Sequence, residues 1–205
     1  MCKPITGKDL VLLLLYVPGK TGEYAEKIEG ATRLQKMVFL FEKEMYPRVG
    51  WNMLIAEEDL PGFIPYDFGP FSREAFDDLE FLAGIGFVHV EPSSEQAEWG
   101  EAAEYWLWQE MTGLEDGFAP DAVMLFEKKA YGLSKLGRDF VEKKLWPALT
   151  GRQKESIARL KFNCTKASSR TILCYICEKY PETVRSSQIR EQILSDVTSM
   201  SVYQY

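Results

Sequence analysis

The residues with the clearest capacity for chemistry are one histidine and a group of cysteines. His89 is the only histidine, and it lies in a strand-like FVHV segment beside a glycine turn. Cys174 and Cys177 have the CxxC spacing of half a zinc site, and Cys164 precedes Cys174 by ten residues. A three-cysteine site would need His89 or a water molecule as its fourth ligand. Because no second pair exists and positions i and i+3 share a helix face, we predict packing rather than metal binding.

Neighbouring carboxylates are the second candidate for chemistry. Glu57-Glu58-Asp59 and Asp77-Asp78 supply the acidic groups that general acid-base catalysis requires. Adjacent carboxylates usually point apart into solvent, and His89 has no recognisable nucleophile motif near it. Gly84 and Gly86 lack the pattern of a phosphate-binding loop. We therefore predict no catalytic residue, no metal and no cofactor, and we expect that the protein is not an enzyme.

The composition limits the cellular locations that can be expected for this protein. The chain has 205 residues, of which 46% are hydrophobic, and this is enough for a core. Its longest apolar run, Val11 to Val17, is far shorter than the roughly 20 residues of a membrane span. Asp9 breaks the signal-peptide pattern near the start, and the four cysteines are too sparse for a disulfide framework. These features predict a soluble cytoplasmic protein with no membrane partner.

Charge is distributed unevenly along the chain, although the net charge is only −7. Residues 1 to 125 contain 9 Lys and Arg against 23 Asp and Glu, whereas residues 126 to 205 contain 15 against 8. Such asymmetry steers a charged partner, binds nucleic acid through the basic half, or favours head-to-tail association into a homodimer. Solvent-exposed surfaces that differ in charge without any function would produce the same pattern, so these alternatives stay open.

The spacing of apolar residues predicts a helical first part. Asp9 to Tyr16 is hydrophobic all round and is expected to be a buried helix. Thr32 and Gln35 have the spacing of a capping box, which predicts the start of a long helix that ends at Pro47. Ser72 is expected to cap a third helix, which the glycines at 84 and 86 terminate.

The middle of the chain predicts a winged helix. Phe87 to Val90 is typical of a strand, and the alternating aromatics of AEYWLWQEM indicate a second strand after a long acidic wing, Glu91 to Glu104. This acidic region extends to Asp121. The segment AYGLSKLGRDFVEKKLWPAL, residues 130 to 149, is predicted to be a helix.

Further helices are expected after residue 148. Thr150 and Gln153 repeat the capping-box spacing, SSRTILCYICEKYPE forms a helix that ends at Pro181, and a last helix begins at Ser186. The fold class is therefore mainly α (α+β): a winged-helix-like domain with a small antiparallel hairpin or wing, and additional C-terminal helices. We predict domain boundaries of 1–148 for the first unit and 149–205 for a helical extension that packs on the same core.

Three segments resemble one family. GATRLQKMVFLFEKE, IPYDFGPFSREAFDDLEFLAGIGFV and YGLSKLGRDFV together resemble the SocA-like Panacea antitoxin family, which includes YwgA-like bacterial and archaeal relatives. The similarity spans about residues 30 to 141, and ILCYICEKYPE is similar to the tail of longer relatives. The acidic region from Glu91 to Asp121 departs from that pattern.

The resemblance implies a function and a set of contact residues. Members of this family neutralise a partner toxin by direct binding or deliver it to a protease, so the resemblance implies a non-enzymatic interaction module with a toxin-like protein partner. Leu34 and Ser72 also match the family motifs. The implied partner-binding residues are Arg33, Gln35, Lys36, Tyr66, Phe68, Gly69, Pro70 and Phe71.

The stretch FIPYDFGPFS can also be interpreted without a partner. Pro65 and Pro70 restrict the backbone, Gly69 permits a turn, and the aromatic side chains can pack against the two neighbouring helices. In the second interpretation, exposed Tyr66 and Phe71 anchor an interface.

A DNA-binding regulator is the alternative function. A winged helix normally offers its second helix to the major groove, but here that helix reads SREAFDDLEFL and is acidic. Nucleic acid would therefore have to bind the basic second half. Its basic residues are Lys128, Lys129, Lys135, Arg138, Lys143, Lys144, Arg152, Lys154, Arg159 and Lys161.

Overall fold

The computed structural model describes residues 5–96, 101–112 and 127–185, and it is mainly helical. Its α-helices are α1 (Gly7–Tyr16), α2 (Ala31–Leu40), α3 (Arg73–Gly84), α4 (Glu101–Thr112), α5 (Lys135–Phe140), α6 (Gly151–Lys166) and α7 (Ser169–Lys179). One π-helical turn, Phe41–Met45, extends α2, and another, Val141–Leu145, extends α5. The predicted helix after Ser186 lies outside the described residues.

Two small antiparallel sheets complete the fold. The strands are β1 (Ile28–Glu29), β2 (Ile64–Tyr66), β3 (Gly69–Phe71), β4 (Val88–Pro92) and β5 (Lys129–Leu133). One sheet has the strand order β1-β5-β4, with Ile28 opposite Tyr131 and Val88 opposite Leu133. The other is the hairpin of β2 and β3. A mainly α fold with a small antiparallel sheet is confirmed.

Helix α1 is the centre of the hydrophobic core. Its residues from Leu10 to Leu15 are almost fully buried, as the all-round apolar pattern predicts. Helices α2, α3 and α6 pack around it, together with β5. The C-terminal helices share this core, because Ile157 of α6 and Ile176 of α7 belong to the same buried cluster as α1.

Side chains fix where several helices begin. The hydroxyl of Thr150 accepts a hydrogen bond from the backbone N–H of Gln153, whose side chain accepts one in return, so the predicted capping box is confirmed. Ser72 caps α3, as predicted, and Ser168 caps α7. The capping box predicted at Thr32 is wrong: α2 begins at Ala31, after Gly30, and has no side-chain cap at this end.

Two predictions for the middle of the chain are also wrong. The segment AEYWLWQEM lies in α4 and is not a strand, since its large side chains pack at helical spacing, with Tyr105 and Trp108 on one face. The strand that pairs with β4 is β5, which lies in a segment predicted to be helical. The helix there starts only after Ser134, which caps it. Local aromatic alternation did not reveal that Lys129–Leu133 completes the sheet between β1 and β4.

Candidate partner-binding site

The Leu-Gln-Lys motif of α2 lies inside the protein. Lys36 is only 3% exposed, and its Nζ lies 2.5 Å from Oε1 of Glu104 on α4. The same Nζ donates a 2.8 Å hydrogen bond to the carbonyl oxygen of Pro70 in β3. A buried ammonium group that is paired in this way holds α2, α4 and the β2-β3 hairpin together.

The side-chain amide of Gln35 links α2 to α4 and to the start of α3. Its Nε2 donates to Oε2 of Glu104 at 3.1 Å, and its Oε1 accepts a hydrogen bond from the backbone N–H of Ser72. Burial raises the pKa of the Glu104 carboxyl, and this outweighs the opposing effect of Lys36. Gln35 thus helps to position the start of α3, although we had assigned it to a helix cap.

Arg33 points the other way, toward α6. Its Nη1 donates to the carbonyl oxygens of Cys164 at 3.0 Å and Ala167 at 2.7 Å, and its Nη2 lies 3.4 Å from Oε2 of Glu95. Lys128 lies between Glu95 and Glu101, at 3.4 Å and 3.3 Å. These charged groups link Glu95, which follows β4, and helix α4 to the helical core.

The FIPYDFGPFS stretch is a tight hairpin against α7 and α3. Gly69 has a φ of +92°, a conformation that favours glycine, and Phe71 is fully buried beside Phe76. Tyr66 and Phe68 are half-buried, and their rings contact each other. Within the described residues, therefore, Phe71 and Pro70 point inward, whereas Tyr66 and Phe68 keep exposed surface.

The predicted partner-binding residues divide into two groups. Arg33, Gln35, Lys36, Gly69, Pro70 and Phe71 are buried, and Tyr66 and Phe68 are half-buried. The buried side chains of the first group contact other parts of the same chain. Their role as partner contacts stays a prediction, and only the exposed parts of Tyr66 and Phe68 can reach a partner without a rearrangement.

The candidate histidine and cysteines lie in different surroundings. His89 is exposed, and its Nε2 lies 3.3 Å from Oε2 of Glu91. Cys164, Cys174 and Cys177 are buried, and burial raises the pKa of the Cys164 thiol to about 12. No metal-binding group of three or more His, Cys, Asp or Glu residues occurs in the part of the chain that the structure describes.

An acidic cleft lies where the start of α1 meets the start of α3. Its volume is about 500 Å³. The residues that line it are Thr6, Gly7, Lys8, Glu58, Asp59, Leu60, Pro61, Glu74, Asp77 and Asp78. Asp59 belongs to a short 3₁₀ turn, Glu57–Asp59, so the two acidic runs that we singled out as carboxylate candidates meet in one cleft.

Two cations pair with carboxylates of the cleft, which continues into apolar surface. Arg73 Nε lies 3.3 Å from Oδ2 of Asp77. Lys8 Nζ lies 2.6 Å from Oδ1 of Asp78 and 5.5 Å from the ring centroid of Phe81. Burial raises the pKa of Asp78 even though Lys8 opposes this. Phe81 and Ile85, farther along α3, are 50% and 45% exposed. An acidic cleft that is bordered by exposed large hydrophobic residues can bind a basic peptide or protein surface.

Sequence reasoning missed this cleft as a site. The signal was present, because Glu74, Asp77, Asp78 and Phe81 follow helical spacing on one face of α3. In the sequence, the acidity of that helix argues only against DNA binding. That Glu58 and Lys8 lie beside it depends on the tertiary packing of α1.

The basic second half is a less continuous surface than its sequence indicates. Lys128 and Lys161 are buried. Arg138, Lys143 and Arg159 each form an ion pair with a carboxylate four residues away on the same helical stretch. These pairs reduce the positive charge that is available to phosphates.

Comparison of this chain with models of known protein families, with curated proteins and with solved structures found no match. The resemblance to the SocA-like Panacea antitoxin family therefore stays a prediction. Among the described residues, no helix combines the length and the apolar content needed to cross a bilayer.

Proposed function

We propose that this protein is a non-enzymatic interaction module of the antitoxin type, which binds a basic, toxin-like protein partner in the cytoplasm. The observation that carries the proposal is the acidic cleft beside α3, whose Lys8 contacts the exposed ring of Phe81, with Ile85 exposed just after the end of α3. Carboxylates attract and orient a basic partner, and exposed aromatic or aliphatic side chains supply the apolar contact that a stable interface needs.

The order of the elements supports a winged-helix domain as the scaffold. Helix α1, strand β1, helices α2 and α3, and strands β4 and β5 occur in this order. The β2-β3 hairpin lies between α2 and α3, α4 lies between β4 and β5, and β1, β5 and β4 form one antiparallel sheet. In this interpretation α3 is the recognition helix, and its outer face carries Glu74, Asp77 and Asp78. A recognition helix of this charge favours a basic protein over a phosphate backbone.

The DNA-binding alternative has less geometric support. Two of its ten basic residues, Lys128 and Lys161, are buried, and three others form ion pairs on their own helical stretches. We expect a gel shift with the protein's own promoter to show no more binding than random DNA at moderate salt. Promoter binding well above that level would favour the regulator.

The test of the proposed function is capture followed by measured affinity. The tagged protein is recovered from its native cells, and the partner found in stoichiometric amount is purified and titrated by calorimetry. We expect the affinity to fall as salt rises, because the charges at the interface are screened. Glu58→Lys combined with Asp59→Lys should weaken binding at least tenfold. It should also abolish protection in cells that co-express the partner.

The matched control is Glu155→Lys combined with Glu178→Lys. These residues are exposed on α6 and α7, and their replacement changes the net charge by the same amount. The control should keep its affinity within about twofold at 150 mM salt. If both double variants lost the same affinity for the partner, net charge rather than the cleft would govern binding. Failure to recover any stoichiometric partner would contradict the proposal.

A further inference from the structure

Helix α4 lies in the connection between β4 and β5, and the pairing of these two strands does not involve it. Strands β4 and β5 pair along their whole length, up to Pro92 opposite Lys129, and the N–H of Ser93 donates to the carbonyl oxygen of Lys128 at 2.8 Å. The chain therefore leaves the sheet after residue 93 and returns at residue 128. Removal of α4 from its present position would break no strand pairing.

One face of α4 makes the contacts with the rest of the molecule. Glu101, Glu104, Tyr105 and Trp108 occupy positions i, i+3, i+4 and i+7, and both carboxylates and the indole are buried. Trp106 and Met111 point outward, with about 40% of their surface exposed. This is the pattern of anchors by which an amphipathic helix binds a groove.

The groove that receives α4 has a basic floor and an aromatic wall. Lys36 and Lys128 are each at most 5% exposed, and they face Glu104 and Glu101 at 2.5 Å and 3.3 Å. The wall consists of Phe71 and Phe76. The ring of Phe76 stacks on Trp108 with 5.8 Å between the ring centroids and 20° between the planes.

The contacts of α4 are separable from the main core. Phe71, Phe76 and Trp108 form a small hydrophobic cluster that is distinct from the one around α1. Buried ion pairs contribute little net stability because desolvation offsets their attraction, so the net stabilisation of α4 rests mainly on this small cluster. Yet Lys36 cannot remain buried without an anion, so whatever occupies the groove must supply a carboxylate.

We propose that α4 is an exchangeable internal ligand, and that its groove also accepts a partner helix with carboxylates at positions i and i+3 and an aromatic ring at i+7. While α4 is docked, it masks the groove. Its covalent connection gives it an effective concentration on the order of millimolar, so a competing helix binds only when α4 is weakened or when the competitor is more strongly bound.

The test uses the full chain and a fluorescein-labelled peptide of residues 101–112, measured by anisotropy. Trp108→Ala removes the internal aromatic anchor, so this variant should bind the peptide at least tenfold more tightly than the wild-type chain does. Trp106→Ala is the matched control because it removes an outward-facing indole from the same helix. Its peptide affinity should equal that of the wild type.

The peptide carries its own control. Glu104→Gln in the peptide should weaken binding to the Trp108→Ala protein at least tenfold, because this carboxylate faces Lys36. Glu110→Gln makes the same charge change at an exposed position and should have no effect. If Trp108→Ala does not fold, as judged by circular dichroism and cooperative unfolding, Glu104→Gln in the protein replaces it as the variant with weakened α4.

The outcomes are decisive in both directions. Absence of peptide binding to a folded variant with weakened α4 would overturn the proposal. The proposal would also be overturned if Trp108→Ala and Trp106→Ala raised the peptide affinity equally, or if Glu104→Gln in the peptide left that affinity unchanged. Trp108 Nε1 donates a 3.0 Å hydrogen bond to Oδ1 of Asp77 in the cleft wall. The partner titrations therefore replace Glu58 and Asp59, on the short turn of the cleft, and their result is independent of this assay.

Discussion

Lys161 shows how a single buried cation can set a pH dependence. Its side chain is fully buried, and Nζ donates hydrogen bonds to the carbonyl oxygens of Leu15 at 3.0 Å and Glu26 at 2.6 Å. Burial lowers the pKa of Lys161 to about 7, although the Glu26 carboxylate opposes this. The unfolded chain therefore binds more protons than the folded one between pH 7 and the ordinary lysine pKa of about 10.5.

From this we predict that the free energy of unfolding rises between about pH 7 and pH 8.5. The slope should approach about 1.4 kcal/mol per pH unit, and Lys161→Met should remove most of it. Urea denaturation at several pH values measures the slope. The range stops below pH 9 because burial also raises the pKa of Cys164, which lowers stability at higher pH. A wild-type slope that Lys161→Met leaves unchanged would contradict the prediction.

Gly69 supports a second prediction at the scale of a residue. A Cβ atom at this position would lie 2.6 Å from Cδ1 of Leu173, and the φ of +92° disfavours any L side chain. Gly69→Ala should therefore lower the free energy of unfolding by about 1 to 3 kcal/mol. Gly84→Ala is the control, since a Cβ there has open space. Thermal unfolding of both variants separates the two cases, and equal stability would argue against the steric account.

Helix starts show which elements can be predicted from sequence. The same Thr-x-x-Gln spacing occurs at Thr32 and at Thr150, but only Thr150 forms a capping box. At the first position, Glu104 and the start of α3 engage Gln35, and these partners come from distant parts of the chain. A local pattern predicts a cap only where no tertiary partner competes for the same side chain.

Thr150→Ala tests this distinction directly. The replacement removes the cap of α6, so we expect stability to fall by about 1 kcal/mol, and Thr150→Ser should retain it. Thr150 is exposed, so loss of packing contributes little. Chemical denaturation of the three proteins measures the difference. Equal losses in the alanine and serine variants would mean that the threonine methyl group, rather than the hydroxyl, stabilises this end.

Helix α4 and strand β5 mark the limit of prediction for whole elements. Alternating aromatics predicted a strand where α4 lies. The helix buries Glu101 and Glu104 on one face, and this burial can be recognised only when their partners Lys128 and Lys36 are known. Charged residues usually indicate exposed positions, and in α4 they mark the buried face. The motif that carried the family resemblance was likewise read as a contact surface, although most of it is internal.

At the scale of the whole molecule, charge asymmetry was visible in the sequence but its location was not. The acidic excess of residues 1 to 125 is spread over the cleft, the buried α4 face and ion pairs such as Lys27 with Glu91. The cleft presents several carboxylates beside the exposed ring of Phe81. The fold class could be predicted from periodicity, whereas the site required knowledge of which charges face one another.

The shared core predicts that the C-terminal helices and the first part of the chain unfold together. Ile157 of α6 is fully buried in the cluster that surrounds α1, so Ile157→Ala should lower the free energy of unfolding by about 2 to 5 kcal/mol. Because one core spans both parts, circular dichroism and tryptophan fluorescence should report the same shifted midpoint. Arg159→Ala is the control, since its exposed pair with Glu155 contributes about 1 kcal/mol or less. Two separate transitions, with only one sensitive to Ile157, would instead show that the helices after residue 148 form an independent unit.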